Sequence, residues 1–146
     1  MIANIEVPSM NASEESNGDF AYLYVNEIYQ STYECQNLRD QIDDIYDTGI
    51  IPSTQLLRHM LSVGKTVKSL YIIGAGPIED LLFRYGDAMR ESYESLFKES
   101  VRFRFCITTI YEPTDPPLGW LTKLIEKAKQ ELPLMDGLYL GFETAE

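Results

Sequence analysis

From Phe20 to Tyr46 the chain carries neither glycine nor proline, and this unbroken run constrains the fold more than any other feature. Strands in globular proteins extend over about 4–8 residues, so a run of this length favours helix. It predicts one long helix, or two with a soft break near Gln30–Thr32, where Ser31 and Thr32 weaken helix propensity. Gly18-Asp19 supplies a start, with Asp19 as cap, and Thr48-Gly49 followed by Pro52 supplies the stop. With Leu38 as the origin and a step of about 100° per residue, Leu38, Ile42 and Ile45 fall within about 40° of one direction. Asp40, Asp43, Asp44 and Asp47 fall at about 140–240°, and Tyr22, Tyr29 and Tyr33 at about 180–220°. The run therefore predicts an apolar stripe opposite a face of tyrosines and aspartates.

That face belongs to an uneven charge distribution. Of a net charge of −11, residues 1–50 hold ten acids against one base, Arg39, which leaves a near-neutral remainder. Phosphate backbones are repelled by such a segment, so nucleic acid is disfavoured as a partner. A basic protein surface is attracted, and its encounter rate rises. Tyrosine adds large contact area at small entropic cost. The bland reading of the same residues is a packed second side of a helix with solvated acids.

The remaining helix signals are closely spaced. Ser53 or Thr54 can cap Gln55–Val63, which ends near Gly64; Thr66–Ile73 follows as a short segment. Pro77–Tyr85 is stopped by Gly86, Asp87 can cap a helix to Lys98, and Ser100 begins another with Phe103, Ile107 and Ile110 on one stripe. After the rigid Glu112-Pro113-Thr114-Asp115-Pro116-Pro117 loop, Leu118–Glu131 places Leu121, Leu124, Ile125 and Ala128 inward and three lysines outward. Leu134–Phe142 is open between a short extended tail and coil. The pattern predicts a mainly α protein, a compact bundle or array of about six or seven helices, with residues 1–17 a flexible segment and 18–146 a single helical domain.

Leu70-Tyr71-Ile72-Ile73-Gly74-Ala75-Gly76-Pro77 imitates the strand and turn of a dinucleotide-binding enzyme. Such a site needs a third glycine three residues after the second, where the backbone must approach a pyrophosphate. Here that position is Glu79, with Asp80 beside it, and two carboxylates would repel the phosphates. The structural reading uses every residue: Gly74 ends one segment in a left-handed conformation, Gly76 caps the next, Pro77 takes its first position, and Glu79 faces the positive helix end. Glu79 and Asp80 can then pair with Arg84, Arg102 or Arg104.

Gly74-Ala75-Gly76-Pro77-Ile78-Glu79-Asp80-Leu81-Leu82, Tyr85-Gly86-Asp87 and Arg102-Phe103-Arg104 together resemble a bacterial family of uncharacterised helical domains. Its members read Gly-Ala-Gly-Pro-Leu-Glu-Asp-Leu-Leu, a Gly-Asp turn, then Arg-Phe-Arg ahead of an aromatic. The resemblance spans Leu56 to Tyr111, with Tyr111 standing where the family pattern has Trp. It implies a helical fold and a bacterial or mobile-element origin, and no activity.

Chemistry finds little footing. Glu79/Asp80 and Asp43/Asp44 are adjacent pairs, which on a helix point about 100° apart and share no substrate. Asp40, Asp44 and Asp47 offer a cation too few ligands from one rigid face. His59 sits among Leu56, Leu57, Met60 and Leu61 with no nucleophile motif nearby, and a single histidine with two cysteines, Cys35 and Cys106, does not fill a zinc site. No enzyme, cofactor or metal is expected. The N-terminus has no basic-then-apolar leader and no apolar stretch is long enough to span a bilayer, so the expected location is cytoplasmic. Small acidic helical proteins with tyrosine-and-carboxylate surfaces resemble, as a class, the immunity proteins that neutralise basic toxins, nucleases especially. The expected function is such a protein-binding inhibitor, and the alternative is a regulatory or scaffolding helical module that self-associates through its aromatic surface.

Overall fold

The computed structural model describes residues 21–27, 32–111 and 114–143, the side chains of Glu27 and of residues 32–37 excepted. The expected flexible segment 1–17, the Asp19 cap, Tyr29, most of the soft break and part of the proline loop lie outside the described residues. What is described is mainly helical, with no strand among those residues. No helix among them is long and apolar enough to cross a membrane. Contacts divide the chain between Gly64 and Lys65 into two units.

The first unit contains a π-helical turn, Leu23–Glu27, and helices α1 (Thr32–Tyr46) and α2 (Ile50–Val63). Leu38, Ile42 and Ile45 are buried, as the wheel of α1 requires. α2 begins five residues before the expected start, with Pro52 inside its first turn. A proline costs little there, because the first N–H groups of a helix have no intrahelical acceptor. Ser53 and Thr54 are accordingly not caps: their hydroxyls donate back to Gly49 O (2.6 Å) and Ile50 O (2.7 Å). Asn26 Nδ2 donates to Val63 O at 2.8 Å and satisfies a carbonyl of the last turn of α2.

The second unit opens with a continuous helical rod: α3 (Val67–Ile73), a π-helical turn (Gly74–Ile78) and α4 (Glu79–Tyr85). Thr66 caps α3, its hydroxyl accepting from Ser69 N–H at 3.2 Å. Gly86, at φ +54° and ψ −126°, stops the rod in backbone space that a side chain resists. A 3₁₀ turn (Gly86–Met89) leads into α5 (Arg90–Glu99), then α6 (Val101–Ile107), capped by Ser100 through Phe103 N–H, and α7 (Gly119–Glu131). Asp87 does not cap α5; its carboxylate accepts from Trp120 Nε1 at 2.8 Å. Tyr93, fully buried, packs edge-on against Phe103 and Trp120, with ring centroids at 5.2 and 6.4 Å. Residues 132–141 form a 3₁₀ turn and further turns, so the tail is not extended.

Candidate functional site

The Gly-Ala-Gly-Pro segment is not a helix boundary. Gly74 has right-handed helical angles (φ −64°, ψ −52°), and the helix passes through it. Pro77 lacks the N–H that would reach back four residues, and the turn widens instead, with Glu79 N–H reaching Gly74 O five residues back. Gly74 is required for a different reason. A Cβ placed there would lie 2.5 Å from Thr109 Oγ1 and 2.8 Å from Cys106 O, so only glycine lets the rod approach the end of α6. Two further bonds fasten the region: Tyr93 Oη–H donates to Ile78 O at 2.9 Å, and the Cys106 thiol, its pKa pushed up by burial, lies 3.3 Å from Leu70 O.

Glu79 is placed otherwise than pairing across the core predicts. Glu79 has no cationic partner among the described residues; its carboxylate accepts from Tyr111 N–H at 3.4 Å. Burial pushes its pKa up, the Tyr111 bond opposes that, and neighbouring Asp80 adds to it. Arg104 binds Glu131 instead, Nε to Oε1 at 2.7 Å, and its Nη1 donates to Phe97 O at 2.7 Å. Arg102 donates to Leu140 O (2.8 Å) and Gly141 O (3.3 Å) and lies over the Phe142 ring. The Arg-Phe-Arg triplet therefore holds down α7 and the turns after it. Reaching these partners required tertiary information, since Glu131 and Leu140 lie 27 and 38 residues away in sequence.

On α1, Asp40 and Asp44 are exposed and Asp43 is half-buried, opposite the buried Leu38, Ile42 and Ile45, and the exposed Asp47 follows the last residue of the helix. Asp44 has neither a hydrogen bond nor an ion pair among the described residues. The last turn of α1 contains no basic residue. Tyr22 is half-buried, and the π-helical turn at Leu23–Glu27 interrupts the constant angular step by which it was assigned to the aspartate side. The Tyr33 side chain and all of Tyr29 lie outside the described residues. His59 is half-buried on α2. Among the described residues no group of three or more His, Cys, Asp or Glu could hold a metal ion.

No family model, curated protein or solved structure matches this chain. Its function is therefore argued from its own residues.

Proposed function

We propose that the chain is a protein-binding inhibitor, immunity-protein-like, that neutralises a basic bacterial partner, a toxin of the nuclease kind, by occlusion. The aspartates of α1 carry the recognition, with Tyr22, Tyr29 and Tyr33 as the aromatic contribution of the same segment. The observation that supports this reading is the placement of Asp43, Asp44 and Asp47 at the C-terminal end of α1. Acids there oppose the negative end of the helix dipole and repel one another. Exposed carboxylates such as Asp40, Asp44 and Asp47 are suited to a cationic surface supplied by another molecule.

Two experiments test the proposal. The gene should neighbour that of a larger toxin, and co-expression should restore growth; a toxin neighbour whose toxicity is undiminished by this chain would refute inhibition. Reversing Asp40, Asp43, Asp44 and Asp47 to lysine should abolish capture of that toxin while the helical circular dichroism is retained. Undiminished capture would remove α1 from the account.

A second reading, a scaffolding module, is favoured by Phe83 and Tyr111, which are 79 % and 84 % exposed. Aromatics so placed are suited to self-association. Light scattering separates the two readings: a scaffold forms a dimer or larger species without any partner, and an occluding inhibitor is a monomer until the toxin is added.

A further inference from the structure

In this acidic chain one cleft carries the opposite charge. It lies between α5 and α7, encloses about 300 Å³, and is lined by Arg90, Glu94, Gly119, Trp120, Lys123, Leu124 and Lys127. Lys123 and Lys127 stand four residues apart on α7 and have no ion-pair partner among the described residues. Like charges at that spacing repel, and an anion between them relieves the repulsion. Arg90 approaches Glu94 at 3.4 Å, an exposed pair that leaves the guanidinium free to reorient. Three cations and one carboxylate give the lining a net charge of +2. The Trp120 ring and Leu124 form the apolar part of the wall, and the indole is fixed in place by its Nε1–H bond to Asp87. The volume is at the small end of the range for ligand sites.

We propose that this cleft binds a small organic dianion, a phosphate ester or paired carboxylate on an apolar body. Lys123, Lys127 and Arg90 hold the charge, and Trp120 and Leu124 hold the body. This site uses no residue of the α1 face and does not depend on the inhibitor reading.

Trp120 is the single tryptophan of the chain, so all tryptophan emission comes from a residue that lines this cleft. Titration of the full chain with phenyl phosphate or phenylmalonate should change the emission saturably, and the tighter of the two identifies the head group. Inorganic phosphate and phenol should each bind at least about tenfold more weakly, because each supplies half of the recognition. Lys123→Gln/Lys127→Gln should weaken binding about tenfold or more with the far-ultraviolet circular dichroism unchanged. Lys129→Gln, the same charge change on the same helix outside the cleft, should leave it within about twofold. The proposal is overturned if neither dianion gives a saturable change, if inorganic phosphate or phenol equals them, or if Lys129→Gln weakens binding as much as the double variant.

Discussion

The π-helical turn at Gly74–Ile78 and the aspartate face of α1 are each written in a few neighbouring residues, yet the fold treats them in opposite ways. In the turn, the structure assigns clear uses: Gly74 leaves room for Thr109 and Cys106, Pro77 comes with the widened turn, and Ile78 O takes the Tyr93 hydroxyl. On α1, the packed stripe is satisfied by Leu38, Ile42 and Ile45, and the aspartates opposite add repulsion. The difference separates residues placed by close contacts from acids gathered at a helix end that disfavours them. It also orders the substitutions that would break the comparison.

The largest effect belongs to Gly74→Ala. Its Cβ would meet a backbone carbonyl as well as a side chain, so α6 and the rod must move apart. The expected loss is about 2–3 kcal/mol by urea denaturation, with only part restored by adding Thr109→Ala, because Cys106 O remains. Full rescue by Thr109→Ala would mean that the hydroxyl alone sets the approach. Next comes Tyr93→Phe. It keeps the ring contacts with Phe103 and Trp120 but strips Ile78 O of its hydroxyl donor, for an expected loss of about 1–2 kcal/mol.

These same positions explain what the sequence could and could not disclose. The helix start at Ser100, the stop at Gly86 and the inward Leu121, Leu124 and Ala128 of α7 were legible because their causes lie within one turn of chain. The use of Gly74 was not, since its reason is a contact with Thr109 across a helix pair. The same holds for Asp87, whose capping role yields to Trp120, and for Arg104, whose partner is Glu131. The constant angular step of a helical wheel does not carry from α1 to Tyr22, because a π-helical turn lies between them. The three lysines of α7 were legible as outward, but not as the wall of a cleft, because Arg90 and Glu94 are brought to them by the fold.

A smaller effect tests whether a charge of the second unit is structural. Glu131 accepts from Arg104 and from the Tyr139 hydroxyl, and both bonds hold its pKa below the ordinary range. The folded state therefore binds fewer protons than the unfolded chain, and stability is contributed above the unfolded pKa and lost as pH falls through the folded one. Glu131→Gln should cost about 0.5–1 kcal/mol at neutral pH, and the difference from the wild type should vanish in acid. A difference that persists unchanged at low pH would assign the loss to packing and not to charge.

The smallest effect has the opposite sign. Asp44 is exposed, lies in the last turn of α1 and has no partner among the described residues. Asp44→Asn removes repulsion from Asp40, Asp43 and Asp47 and an unfavourable charge from the negative end of the dipole, without touching the buried stripe. Stability should rise by about 0.3–0.5 kcal/mol at low ionic strength, and the gain should shrink in molar salt, where repulsion between exposed charges is screened. A loss of stability would mean that this aspartate, like Gly74, answers to the fold. A gain would leave it among the residues whose cost folding does not recover, and a binding partner is the natural place for that recovery.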